Sequence, residues 1–136
     1  MACPLRITDA ASLGLHTMVF LASKPGEMYS TKEIASKLKA SPAHLSKVLQ
    51  RLAKSGYVKA VRGPKGGFMI AKSPEEITLG EIYECIEGKL ERRCCLFPAP
   101  VCRGEKCIFG DMFSVIGERV MNYFTHTRIS DLVDVF

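Results

Sequence analysis

Apolar residues recur at helical spacing in five stretches of the chain, and between the third and fourth of these the pattern switches to alternation. The first stretch carries Leu13, Val19 and Leu21; Thr8 stands before it as an N-cap, and Pro25-Gly26 breaks it off. Ser30-Thr31-Lys32-Glu33 has the spacing of a capping box, in which each side chain satisfies the other residue's backbone N–H. Ile34, Ala35 and Leu38 follow on one face, which predicts a helix of about two turns ending near Ala40. Ser41-Pro42 then pairs a capping hydroxyl with proline at the first helical position, where a missing N–H costs nothing. Leu45, Val48, Leu49 and Leu52 continue at i, i+3, i+4 and i+7, and the helix runs to Ser55 with Gly56 as its stop. Two helices joined by so tight a turn make a helix-turn-helix over residues 30–56.

Tyr57-Val58-Lys59-Ala60-Val61-Arg62 alternates, Gly63-Pro64-Lys65-Gly66-Gly67 supplies turn residues, and Phe68-Met69-Ile70-Ala71 returns to a β-prone run. Residues 57–72 therefore read as a hairpin, or wing. Thr78-Leu79-Gly80-Glu81 is a second capping box, and Leu79, Ile82, Tyr83 and Ile86 mark a short helix that ends at Gly88. The last stretch, with Met112, Phe113, Ile116, Val120, Met121 and Phe124, predicts a long helix over about 110–126, and Ser130-Asp131 can start one more turn. Its apolar face is wider than a small core requires, which points to a two-fold partner; the plainer alternative is a helix folded back on its own domain. No repeat and no low-complexity linker interrupts the chain, so residues 1–136 read as a single unit, mostly α with a small β-hairpin. Its hydrophobic content of 47% is enough for one core.

Charge adds a direction to this scaffold. The net charge is +5, yet residues 30–72 hold ten Lys or Arg against the single acid Glu33, a local net of +9 that leaves −4 for the rest. A basic face of that density fits a phosphate-binding surface, although charge alone does not separate DNA from RNA or a membrane surface. The outer side of the third helix presents Ala43, His44, Lys47, Gln50, Arg51 and Lys54, which can reach phosphates or base edges, Ala43 suiting a thymine methyl. His44, Lys47 and Arg51 are candidate contacts there, joined by Thr31, Ser41 and Pro42 at the helix starts. On the wing the candidates are Arg62, Lys65, Gly66 and Gly67, because glycine removes side-chain bulk and leaves backbone N–H groups free for phosphate. A solvated turn is the plain alternative.

Four of the six cysteines, Cys94, Cys95, Cys102 and Cys107, crowd into residues 92–107, which reads as a loop inserted between two helices. No apolar run approaches the roughly 18 residues of a membrane helix. Met1-Ala2-Cys3-Pro4-Leu5-Arg6 lacks the apolar core of an export signal, so the expected compartment is the cytoplasm and the cysteines point to metal or redox chemistry rather than a disulfide scaffold. Thiolates with six and four residues between Cys95, Cys102 and Cys107 can converge on one soft centre, an iron–sulfur cluster or zinc. Arg92, Arg93, Arg103 and Lys106 beside them offset thiolate charge, or face DNA or water. Cys85 reads as a small buried hydrophobe, Cys3 is uninformative, and His16 and His126 have no partners at ligand spacing. No HExxH, no Cys-x-x-Cys and no nucleophile–base constellation is present, which argues against an enzyme.

The string Leu52-Ala53-Lys54-Ser55-Gly56-Tyr57-Val58-Lys59-Ala60-Val61-Arg62-Gly63-Pro64-Lys65-Gly66-Gly67-Phe68 resembles a signature of the bacterial winged-helix regulator family that contains IscR, NsrR and CymR. The similarity covers nearly the whole chain. It implies a cytoplasmic homodimeric transcription regulator, of repressor type, that binds a palindromic operator in double-stranded DNA and pairs through the long helix. In the family's cluster-binding members three cysteines of this loop ligate an iron–sulfur cluster, 2Fe-2S or 4Fe-4S. Cys95, Cys102 and Cys107 match those positions, with the middle one displaced and Cys94 a competing ligand. The fourth ligand of IscR-like members is a histidine just after the last cysteine, where this chain has Gly110; NsrR-like members take an aspartate from the first helix of the partner subunit, and Asp9 matches that site. Asp9 would equally be favoured there by the helix dipole. The resemblance thus implies DNA affinity controlled by a cluster that senses nitric oxide, oxygen or redox state, or iron supply. The alternative is a metal-free thiol-redox or ligand-responsive regulator in which Cys94 or Cys95 pairs with Cys102 or Cys107.

Overall fold

The structure, a computed structural model, describes residues 7–90, 95, 97, 99, 101–102 and 106–136. Helix α1 (Asp9–Ser23) begins where the Thr8 hydroxyl oxygen accepts the Ala11 N–H at 3.1 Å. Ala11, Leu13, Thr17, Met18, Val19, Phe20, Leu21 and Ala22 are all buried, so this is a central helix wrapped by the others rather than a surface helix with one apolar stripe. Thr17 is accommodated in that core because its hydroxyl donates to the Leu13 carbonyl at 2.7 Å.

The helix-turn-helix forms as the caps predict. Ser30 Oγ accepts the Glu33 N–H at 3.1 Å and the Glu33 carboxylate accepts the Ser30 N–H at 2.7 Å, starting α2 (Thr31–Leu38). Lys39 ends it in a left-handed conformation with φ of 53°. Ser41 caps α3 (Pro42–Lys54) through the His44 N–H at 3.4 Å, and Leu45, Val48, Leu49 and Leu52 are buried. Gly56, at φ of 82°, turns the chain into the hairpin.

Strands β1 (Val58–Val61) and β2 (Gly67–Ile70) pair antiparallel, with Val58 opposite Ile70 and Val61 opposite Gly67. A further bridge ties this wing to the helix-turn-helix: the Tyr29 N–H donates to the Phe68 carbonyl at 3.0 Å and the Phe68 N–H to the Tyr29 carbonyl at 2.8 Å. The residue before the cap of α2 is therefore bonded to the strand after the wing tip.

After a 3-10 turn at Pro74–Glu76, the Thr78–Glu81 capping box starts α4 (Leu79–Glu87). Helix α5 (Met112–His126) returns beyond the cysteine segment, and its C-terminal end is stitched to the start of α4 by Leu79 N–H to Thr127 carbonyl (3.0 Å) and Ile129 N–H to Ile77 carbonyl (2.9 Å). Gly80 permits that approach, since a Cβ there would lie 3.2 Å from the Phe124 carbonyl oxygen. The extra turn expected at Ser130-Asp131 is a 3-10 helix, Ile129–Val135, packed on α1 with Ile129 fully buried. The fold is thus mostly helical with one two-stranded sheet, and among the described residues no helix is long and apolar enough to cross a membrane. Cys85 departs from the sequence reading. It is half-buried rather than buried, and its thiol donates to Ser55 Oγ at 3.2 Å, because α4 lies across the polar C-terminal end of α3.

Candidate functional site

The basic candidates are exposed on the helix-turn-helix and on the wing. Ala43, His44, Lys47, Gln50, Arg51 and Lys54 are all exposed on α3 while the leucines and Val48 point inward, and Lys59, Arg62 and Lys65 are exposed on the wing. Ser41 and Pro42 are exposed at the start of α3, and Thr31 is half-buried at the start of α2. The carboxyl of Glu33 is held below the ordinary carboxylate range by the Ser30 backbone N–H and, second, its hydroxyl, so the one acid of this segment is engaged in a cap. Lys72 Nζ sits 4.6 Å from the ring centre of Tyr57 at the base of the wing.

Three of the candidates have tasks that sequence did not show. Gly66 does not offer a free N–H: it donates to the Gly63 carbonyl at 2.9 Å, closing the turn. Gly66 and Gly67 are both required sterically, since a Cβ on Gly66 would lie 2.0 Å from the Val61 oxygen and one on Gly67 would lie 2.6 Å from the Tyr29 oxygen. Arg51, a candidate DNA contact exposed on α3, has Nη1 donating to the Ile86 carbonyl at 2.5 Å, at the end of α4. It lines a groove of about 320 Å³ with Ala10, His44, Lys47, Val48, Ile86 and Glu87.

Cys95, Cys102 and Cys107 are brought together. All three are free, half-buried thiols lining one small cavity of about 40 Å³, which among the described residues is also lined by Phe97, Ile108, Phe109 and Phe113. Cys107 Sγ accepts the Phe109 N–H at 3.4 Å, the kind of backbone donor that stabilises a thiolate ligand. Among the described residues no three His, Cys, Asp or Glu side chains are placed to hold a single metal ion, so the thiols share a cavity without closing on one atom. An apolar cavity with three sulfurs and an N–H donor matches the donor set of a soft, sulfur-ligated centre. Cys94, Arg92, Arg93, Arg103 and Cys3 lie outside the described residues.

Asp9 lies in the first turn of α1, on a different groove of about 550 Å³ that includes His16, Lys37, Lys39, Ser41 and His44. Within one chain it does not share the cysteine cavity. His16 and His126 each bond through Nδ1 to the carbonyl one turn earlier, Ser12 and Asn122. Sequence reasoning missed Tyr29, whose bridge to Phe68 carries no local signal, and Gly14, where a glycine inside an apolar helix does hint at close packing.

The Rrf2 family of iron-dependent transcriptional regulators matches residues 7–135. The transcriptional regulator NsrR of Bacillus subtilis is 34% identical over 109 residues, covering 72% of this chain and 73% of that one. The structure of CymR, the global cysteine regulator of B. subtilis, superposes with a TM-score of 0.78 at 28% identity and covers 97% of this chain and 98% of its own. The oxidised form of Staphylococcus aureus CymR gives a TM-score of 0.76 at 25% identity over 96% and 97% of the two chains. A basic helix-turn-helix bonded to a wing is the part of this molecule that such proteins would need in common, and the chain belongs to the Rrf2 family as a DNA-binding transcriptional regulator, not an enzyme.

Proposed function

We infer that this regulator is a homodimeric repressor that reads a palindromic operator with α3 and the wing, and that an iron–sulfur cluster held by Cys95, Cys102 and Cys107 sets its DNA affinity. The observation that carries the cluster reading is the shared cavity of the three thiols in the segment joining α4 to α5. When bound there, a cluster would supply iron that reacts with nitric oxide or oxygen, or is lost when iron is scarce. Cys94 or Asp9 of the partner subunit completes the ligand set. On the DNA side, Lys47, Arg62 and Lys65 supply charge to phosphates, His44 reaches a phosphate or base edge, and Thr31, Ser41 and Pro42 position the helix starts. Gly66 and Gly67 act by letting the wing tip fold closely.

A second reading is a thiol switch on the same scaffold, favoured by free thiols in one cavity. A CymR relative has been solved in an oxidised form. The two part at the metal. Protein purified without oxygen is expected to be brown, with iron and sulfide in equal amounts, and Cys102→Ser is expected to lose both. Colourless protein lacking iron and sulfide sinks the cluster reading in favour of the thiol switch, which is then seen as a disulfide among residues 94, 95, 102 and 107 after mild oxidation.

A further inference from the structure

The last turn of α4 is where the cysteine segment is rooted, and there the chain is tied to both neighbouring helices. Arg51, one turn before the end of α3, donates from Nη1 to the Ile86 carbonyl at 2.5 Å. On the α1 side the Thr8 hydroxyl donates to the Glu87 carboxylate. Gly14 makes room for the junction, since a Cβ on it would lie 3.0 Å from Ile86 Cγ1 and 3.5 Å from Val48 Cγ1. Beyond the junction the backbone stays fastened through Leu90: the Gly88 N–H donates to the Glu84 carbonyl at 2.9 Å and the Leu90 N–H to the Glu84 carboxylate at 3.1 Å.

These links differ in kind. The packing of Ile86 against Gly14 and Val48 is apolar and tolerates sliding, the Cys85 thiol is a weak donor to Ser55, and the Thr8–Glu87 bond leads to α1. Arg51 alone of these joins α3 to α4 by a charged, directional hydrogen bond, made to a carbonyl at a helix C-terminus where the unpaired carbonyls gather partial negative charge. It also sits one turn after Lys47 on the exposed face of α3.

We propose that Arg51 is a positioning residue, which through the Ile86 carbonyl fixes the recognition helix against the root of the cysteine segment and so makes α3 respond to the state of the thiols. The inference rests on the reading of that segment as the sensing part. The regulator then needs no contact between the thiols and DNA: a change in how Cys95, Cys102 and Cys107 are held shifts the end of α4, and the guanidinium carries the shift into α3.

The test is hydrogen exchange of the α3 amides in the full-length chain, in two pairs of states: reconstituted with iron and sulfide against chelator-treated, and oxidised with diamide against reduced. Wild-type exchange in residues 43–54 is expected to differ by about fivefold or more within a pair, and Arg51→Lys, which keeps the charge and loses the planar fork, by less than about twofold with iron uptake unchanged. A merely structural arginine would raise exchange in both states by the same factor and leave the wild-type difference in place, which overturns the proposal. So does a wild-type α3 that responds to neither pair. Failure of the wild type to take up iron overturns the cluster reading instead, and the diamide pair then decides the role of Arg51. Should Arg51→Lys not fold, Arg51→Met keeps the apolar stem and is judged by the same difference.

Discussion

Three glycines of the wing tip face different surroundings. Alanine at Gly66 would drive Cβ to 2.0 Å from the Val61 oxygen, and at Gly67 to 2.6 Å from the Tyr29 oxygen at a φ of +154°. Gly63 also has a positive φ, +117°, but nothing lies within 4 Å of its added Cβ. Gly63→Ala should therefore cost only conformational strain, about 1 kcal/mol, whereas Gly66→Ala and Gly67→Ala should each cost about 2 to 3 kcal/mol because backbone must move. Urea denaturation of the three variants tests this, and equal losses would refute the steric account. The turn itself was legible in Gly63-Pro64-Lys65-Gly66-Gly67, since turn chemistry is local. The purpose of Gly67 was not, because Tyr29 is remote in sequence and meets it only once the wing has folded onto the helix-turn-helix.

Among the elements, helix starts were the most readable feature. Thr8, Ser30 with Glu33, Ser41 and Thr78 with Glu81 all cap as their spacing indicates, because a cap is an interaction over three residues that needs no tertiary context. What stayed hidden is what joins elements: Arg51 to Ile86, Thr127 and Ile129 to the strand-like start of α4, and the depth to which Ile129–Val135 packs on α1. The three thiols were legible as a group from spacing, but their apolar wall of Phe97, Ile108, Phe109 and Phe113 was not. The α2 cap makes a pH-dependent prediction. The folded state holds the Glu33 carboxyl below its unfolded value, so the stabilisation is complete above the ordinary carboxylate range and is lost as pH falls through the lowered folded value. Glu33→Gln keeps an acceptor but no charge, so its Tm should trail the wild type at neutral pH and converge with it as pH falls through and below the ordinary carboxylate range. A Tm difference that stays constant over that range would mean that the charge of Glu33 adds nothing to the cap.

For the molecule as a whole, the proposed pairing of two DNA-reading units rests on α5. Its C-terminal end is committed to its own chain through buried Phe124 and the bonds from Thr127 and Ile129, while Met112, Val115 and Tyr123 remain 42%, 55% and 55% exposed, beside Ile108 at 83%. Large apolar side chains displayed along one helix are costly to leave in water, and a two-fold copy would cover them and place two α3 helices on one duplex. Val115→Asp is the sharpest probe, because it puts a charge on the exposed stretch without touching the anchored end. Sedimentation should show wild-type dimer and Val115→Asp monomer at micromolar concentration, with the monomer's helix content kept because no core residue is altered. DNA binding supplies an independent reading: a monomer carries one recognition helix and one wing, so the slope of log affinity against log salt should fall to about half that of the wild type. A Val115→Asp protein that remains dimeric would remove the N-terminal half of α5 from the interface and leave its apolar face to the cysteine segment that it flanks.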